Sequence, residues 1–268
     1  MNNQAFGSAR DDLFNTERLC AALGSAAEGL SLTVLDVCDS TNNEAKRMAV
    51  AGSPSPAIIA ANTQTAGRGR LGRSFYSPSQ TGLYFSILYP TQAPLQSAVS
   101  LTGAAAVAVM RALCKTAGKQ TAIKWVNDLY LEGKKVCGIL AEALTGGSEV
   151  RQTYLIIGIG VNLSTVDFPT ELSDKAGSVN SENVTRAELI AAIWRELSPY
   201  LIDPNDRSWL ADYRAHSMVI GKEIEWSHGE ERHAGIAVGI TEDGALEVRL
   251  PNGEMTLLRT GEISVKVR

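Results

Sequence analysis

Residues 67–73 read Gly-Arg-Gly-Arg-Leu-Gly-Arg, and neither a helix nor a strand holds such a run well. Three glycines remove the Cβ restraints that favour regular structure. Three guanidiniums this close repel one another unless something anionic sits among them. Runs of strand character flank the segment at residues 57–62 and 82–89, so it must be a loop projecting from a sheet. Arginine forks match phosphate and carboxylate oxygens in pairs, and glycine lets backbone N–H groups approach the same oxygens. The loop is therefore suited to closing over an anion. A solvated basic turn and an RNA-contacting segment are the readings the seven residues leave open beside it.

The rest of the chain narrows those readings. Its formal net charge is -4, whereas a general nucleic-acid surface needs a basic excess. The basic character is local. At 268 residues and 44% hydrophobic content, the chain can form one large domain, or a large one and a small one. Cysteines 20, 38, 114 and 137 have no C-x-x-C spacing and no histidine nearby, so neither a zinc site nor a disulfide framework is expected. Residues 1–13 lack the apolar centre of a signal peptide, and the longest apolar run, 103–110, ends at Arg111, too short for a bilayer. The expectation is a soluble cytoplasmic protein without a membrane partner.

Apolar periodicity predicts a first helix over residues 11–30 and a strand over 32–37. Thr41 and Glu44 have capping-box spacing, which predicts a helix from there to about residue 51. A long alanine-rich helix is expected at 96–117, a strand at 121–125, a hairpin of 129–131 with 136–144, and a strand at 154–163. Residues 166–183 read as loop, and 185–201 and 206–216 as helices. After residue 218 the pattern changes to short strands at 222–226, 232–240, 246–250, 255–258 and 263–267, with Asp243-Gly244 and Asn252-Gly253 as turns. The expected organisation is a domain over 1–218, its first 30 residues a helical extension, and a small β-domain over 219–268.

Chemistry concentrates in a few segments. Ser40-Thr41-Asn42 sits at a helix N-terminus, where hydroxyl and amide groups can face a small polar ring. Asn62 through Arg73 carries Gln64 into the basic loop. Lys124-Trp125-Val126-Asn127-Asp128 places a lysine, an amide and a carboxylate around one turn. Lys135 leads into a buried strand that continues through Gly138 to Glu142. A lysine there either reaches solvent or is aimed at an anion. Gly158 and Gly160 interrupt another strand, as glycines do where a ligand or backbone comes close. No G-x-G-x-x-G leads into a helix, so this is not a dinucleotide-binding fingerprint.

In this order, and with Gly261-Glu262-Ile263-Ser264 near the end, these segments resemble the biotin–protein ligases of the short, monofunctional kind. The resemblance covers residues 32–268. It implies an α+β fold, with a mixed or antiparallel sheet flanked by helices and a small C-terminal SH3-like β-barrel. It implies ATP and biotin as substrates, Mg2+ accompanying ATP, and a biotin carboxyl carrier domain as partner. The reaction it implies joins biotin and ATP into biotinyl-5′-AMP and then transfers biotin to a carrier lysine.

By matching position, the resemblance puts Ser40, Thr41, Asn42 and Gln64 at biotin's ureido ring. Gly67, Arg68, Gly69 and Arg70 form the loop over biotin and the phosphates, and Gly138 leaves room beside the strand. Lys135 meets the reacting carboxylate and α-phosphate and leads the catalytic set, which also holds Arg68, Arg70 and Asp128. Arg70, Arg73, Lys124, Trp125, Asn127, Asp128 and Lys135 face ATP, and Asn162 reads the adenine edge. No dedicated metal site is implied. Two departures stand out: Val126 replaces the usual proline, and Phe75 or Tyr76 replaces the usual tryptophan after the loop. Only 39 residues precede Ser40, too few for a winged helix, so neither DNA binding nor a repressor role is expected. An exposed sheet edge could pair two subunits into a homodimer. A lipoate ligase would need an apolar channel where Ser40, Thr41 and Gln64 stand; an RNA-binding module would need interleaved exposed aromatics.

Overall fold

The structure is a computed structural model. It describes residues 12–92, 97–146, 152–181, 183–228, 231–259 and 261–265. The expectations for residues 1–11, for residue 96 as a helix start and for residue 267 as a strand end lie outside the described residues.

Seven strands form the larger sheet, in the order β1-β2-β3-β7-β6-β5-β4. β1 (Ser31–Cys38) and β2 (Ala57–Gln64) are parallel. A parallel pair needs a crossover, and α2 (Thr41–Val50) supplies it. β3 (Gly82–Thr91), β7 (Gln152–Asn162), β6 (Lys134–Gly146), β5 (Asp128–Leu131) and β4 (Ala122–Lys124) continue the sheet in antiparallel pairs. The near-continuous apolar runs of β2, β3 and β7 follow from their central positions, covered on both faces.

One face of the sheet is covered by α3 (Ser97–Ala117), on which α4 (Arg186–Ile202) and α5 (Trp209–Ala215) pack. Leu83, Phe85, Ile157 and Ile159 meet Ala104 through Val109 in that core. Small side chains let α3 lie close, and a Cβ at Gly103 would strike the Trp209 ring at 2.6 Å. On the other face α2 closes a smaller cluster of Ala45, Ala49, Ile59, Leu88, Tyr154 and Ile156. Among the described residues no helix is long and apolar enough to cross a membrane.

The C-terminal strands β8 (Glu223–His228), β9 (Glu231–Ile240), β10 (Leu246–Arg249), β11 (Met255–Leu258) and β12 (Ile263–Val265) make a second, antiparallel sheet ordered β11-β10-β9-β8-β12. Gly244 and Gly253 adopt φ of 86° and 89° at the two predicted turns, a conformation glycine holds without penalty. The two sheets share a core through Ile224, Ala237, Ile240, Leu246 and Ile263. Trp125 Nε1 donates to Gly244 O at 3.0 Å across the junction.

Two local expectations fail for identifiable reasons. Residues 11–30 are not one helix: α1 covers Thr16–Leu23 and a single 3₁₀ turn follows over Gly24–Ala27. Thr41 and Glu44 do not form a capping box; Ser40 is the N-cap and makes no side-chain cap bond. The Thr41 hydroxyl donates to Gln64 Oε1 at 3.2 Å, while Glu44 accepts from Arg47. Thr185 and Glu188, with the same spacing, do form the reciprocal box at the start of α4.

Candidate active site

A cleft of about 120 Å³ opens where the N-terminus of α2, the loop after β2, the strand ends of β5, β6 and β7 and the 261–262 segment meet. Its polar face is built around α2. Thr41 N and Oγ1 both donate to Gln64 Oε1, at 2.9 and 3.2 Å. Gln64 Nε2 donates to Ser77 Oγ at 2.9 Å. Ser86 Oγ lies 2.8 Å from Thr41 Oγ1 and 2.6 Å from Asn42 Oδ1. Ser40, Thr41 and Asn42 are buried, so this network is held rigidly at the positive end of the helix. Gly158 makes the arrangement possible, because a Cβ there would fall on Asn42 Oδ1.

The loop at 67–73 folds back on itself. Phe75 N donates to Gly67 O at 2.8 Å and Gly69 N to Arg73 O at 2.7 Å. A short 3₁₀ turn spans Arg70–Gly72, with Leu71 at φ 55° and exposed at its tip. The expected cluster of three unpaired cations is corrected: each arginine has its own partner. Arg68 Nη1 donates to Asn43 Oδ1 at 2.9 Å, Arg70 Nη1 to Asn127 Oδ1 at 3.0 Å, and Arg73 Nη1 to Glu262 Oε1 at 2.6 Å. The three point in different directions, which relieves their repulsion and pins the flap to α2, to the β4–β5 turn and to the second sheet. Burial lowers the pKa of Arg70, an effect the nearby Asp128 carboxylate opposes.

On the far side, Lys135 Nζ stands 2.7 Å from Asp128 Oδ1. A lysine that pairs here, half-buried at the head of β6, keeps a localised positive charge facing the cleft. Asn127 is fixed by donating to Ile139 O at 2.9 Å. The floor between the two sides is bare of side chains at Gly138 and Gly160. A Cβ at Gly138 would crowd Lys135 Nζ at 3.3 Å, and one at Gly160 would strike the Phe75 ring at 2.5 Å. Phe75, not Tyr76, therefore takes the aromatic position after the flap; Tyr76 turns away to donate to Asp167 O. The Trp125–Val126 peptide is cis.

Of the predicted site residues, Ser40, Thr41, Asn42, Gln64, Arg68 and Gly69 line the cleft, as do Arg70, Arg73, Asn127, Asp128, Lys135 and Gly138. Four do not. Gly67 lies at the base of the flap, where a side chain would strike Phe75 O and Ser77 Oγ. Lys124 lies over the Tyr130 ring at 5.9 Å. Trp125 is buried at the junction of the sheets. Asn162, expected at the adenine edge, is buried and donates to Gly177 O at 3.0 Å, anchoring the 163–180 loop. Sequence reasoning assigned no role to Glu262, Leu71 or Ser86. Glu262 was marked only by its motif, and the contact that brings it to Arg73 spans 189 residues.

Comparisons with known proteins agree with this architecture. Residues 34–162 match the biotin/lipoate A/B protein ligase family, and residues 219–266 match the biotin protein ligase C-terminal domain. The bifunctional ligase/repressor BirA of Bacillus subtilis is 34% identical over 235 residues, which cover 84% of this chain and 71% of that protein. A biotin–[acetyl-CoA-carboxylase] ligase of Paracoccus denitrificans is 34% identical over 236 residues, 82% of this chain and 94% of its own. The biotin protein ligase of Aquifex aeolicus, solved in complex with biotin and ATP, superposes with a TM-score of 0.71 at 28% identity over 88% of this chain and 98% of that one. The chain belongs to the biotin/lipoate A/B protein ligase family. Within it, the chain carries both the catalytic part and the C-terminal part of a biotin protein ligase.

Proposed function

We propose that this chain is an ATP-dependent biotin–protein ligase. It makes biotinyl-5′-AMP from biotin and ATP and passes the biotinyl group to a lysine of a biotin carboxyl carrier domain. The observation that carries the reading is the convergence, in one cleft, of a polar network at a helix N-terminus with Arg68, Arg70 and Lys135. The named activities of the relatives in Paracoccus and Aquifex support it.

In the first step two anions must meet. The biotin carboxylate oxygen attacks the α-phosphorus of ATP, and the bond to the bridging oxygen breaks as pyrophosphate leaves. Thr41 and Gln64 present the edge that holds the ureido ring, with Ser40 and Asn42 completing it. Arg68 and Arg70 cover the carboxylate and the phosphates. Lys135 stabilises the charge that grows on the α-phosphoryl oxygens, a fixed cation aimed at the transition state. Asn127 holds Arg70 in place. Arg73 serves the nucleotide side through Glu262.

Among the described residues no group of three or more His, Cys, Asp or Glu side chains could hold a metal. Mg2+ would accompany the ATP phosphates, and Asp128 would be the carboxylate to hold it there. In the second step the carrier lysine's neutral amine attacks the acyl carbon and AMP leaves; Asp128 takes up the ammonium proton. Closure of the flap keeps water from the mixed anhydride between the steps.

The polar network favours biotin over lipoate, whose dithiolane offers no ureido group to Thr41 and Gln64. Biotin-dependent pyrophosphate release from ATP tests this. Release that depends on lipoate instead would replace the reading. The division of the chain at residue 218 is part of the proposal, supported by the second sheet beginning at Glu223. The reading admits a homodimer paired along an exposed sheet edge; β1 and β4 are the outer strands of the larger sheet. A single species of monomer mass in sedimentation with biotin and ATP would remove the dimer.

A further inference from the structure

Behind the polar face of the cleft lies a carboxylate that none of these steps uses. Glu142 stands in the middle of β6, its side chain 23% exposed. Its Oε2 accepts from Asn42 Nδ2 at 3.0 Å, and its Oε1 accepts from Lys46 Nζ at 2.7 Å. Arg68 Nη2 stands 3.6 Å from the same Oε1. Two of these groups belong to α2 and the third to the flap.

A carboxylate only accepts, so it decides which way the Asn42 amide faces. With Nδ2 on Glu142, Oδ1 must point to Ser86, 2.6 Å away. Ser86 gives its one hydroxyl proton to that oxygen and lies 2.8 Å from Thr41, whose own hydroxyl goes to Gln64. Glu142 therefore fixes Asn42 and Ser86, which stand against Thr41 on the ring-binding face. The same carboxylate offers its second oxygen to the flap arginine, which also donates to Asn43.

We propose that Glu142 is a positioning residue for adenylate formation, tying the closed flap to the ring-binding face. This rests on the ligase reading above. Glu142 touches no substrate atom; it sets Asn42 on one side and docks Arg68 on the other. A half-buried charge held only by Lys46 would be a surface ion pair, with little effect on stability and none on substrate affinity. Here two hydrogen bonds from α2 and an ion pair from the flap converge on it instead, and losing a hydrogen bond to a charged group is worth roughly a tenfold change in an equilibrium.

Two substitutions separate the roles. In Glu142→Gln the amide oxygen still accepts from Asn42, while the amide nitrogen faces Lys46 and Arg68. In Glu142→Ala both contacts go. Adenylate formation is followed by pyrophosphate release across a biotin titration, adenylate retention by filtration of the preformed complex, and folding by melting temperature. The expected result for E142Q is a KM for biotin within about twofold of wild type and adenylate loss up to about fivefold faster. For E142A the KM for biotin also rises about tenfold, with kcat changed much less. Wild-type KM and retention in both variants would overturn the inference, as would equal changes in both that follow melting temperature alone. If E142A does not fold, wild-type retention in E142Q suffices to overturn it. If the wild-type protein itself shows no biotin-dependent turnover, the ligase reading falls; normal wild-type turnover with unaltered variants sinks only Glu142.

Discussion

Replacing Lys135 by methionine keeps an unbranched chain only one atom shorter and removes its charge, so it isolates the electrostatic part of catalysis. A phosphoryl oxygen within hydrogen-bond reach of Nζ places the developing charge about 4 Å from the ammonium. At an effective dielectric of about 20 that attraction is about 4 kcal/mol. Lys135 is 33% exposed and already pairs with Asp128 at 2.7 Å, which screens part of it; about 2–4 kcal/mol is the working range. That corresponds to adenylate formation slowed by about 30- to 1,000-fold. Folding should suffer far less. The Asp128 pair is partly solvated and contributes about 1 kcal/mol, a fall of about 2–4 °C in melting temperature for a chain of this size. The assay is single-turnover formation of biotinyl-AMP at saturating biotin and ATP, with the melting curve recorded on the same preparation. Wild-type adenylation in Lys135→Met would refute the assignment. So would a slow second step with an unaltered first, because the charge is needed where the phosphorus is attacked.

Other consequences follow from neighbouring features. Gly158→Ala puts a methyl group onto Asn42 Oδ1; overpacking of about 1–3 kcal/mol should raise the KM for biotin about tenfold or more, read from the same titration, while Gly72→Ala at the open flap tip should not. Burial raises the Cys38 thiol to about 11 and pushes the Cys137 thiol higher still, whereas Cys20 and Cys114 are exposed. Native protein at pH 8 should therefore label at two thiols with a maleimide and at four after unfolding, counted by mass spectrometry. Burial pushes the Glu142 carboxyl up, but the bonds from Lys46 and Asn42 and the Arg68 charge outweigh it and leave the pKa below its ordinary 4.5. A group lowered on folding contributes fully above its unfolded value and loses that contribution as pH falls through the folded one. Adenylate retention, the property E142Q is expected to lose, should thus not vary with Glu142 titration from pH 5 to 8 and should weaken only below its ordinary 4.5.

The larger elements were legible because their signals are local. The apolar runs of β2, β3 and β7 mark central strands, and Asp243-Gly244 and Asn252-Gly253 mark hairpins, without reference to anything distant. The flap was legible as a flap for the same reason: glycine and arginine at that density exclude helix and strand. What could not be read is how polar groups choose partners. Thr41–Glu44 and Thr185–Glu188 share one spacing, but only the second forms a capping box, because Gln64 and Ser86 claim the Thr41 hydroxyl from other strands. Asn162 sits beside the cleft strands yet turns its amide to Gly177, on a loop that local pattern leaves without a course. Glu142 lies 100 residues from Asn42, and its position in a motif gives no hint that it faces α2. The arginines of the flap look unpaired in sequence because Asn43, Asn127 and Glu262 lie far from them along the chain.

The most direct test of the account is a crystal structure of the protein grown with biotin and ATP. The account predicts biotinyl-5′-AMP in the cleft, its ureido ring against Thr41 and Gln64, its phosphate within hydrogen-bond reach of Lys135, and the 67–73 flap closed above. An adenylate bound elsewhere, or a ring placed against the second sheet with Lys135 turned from the phosphate, would contradict it.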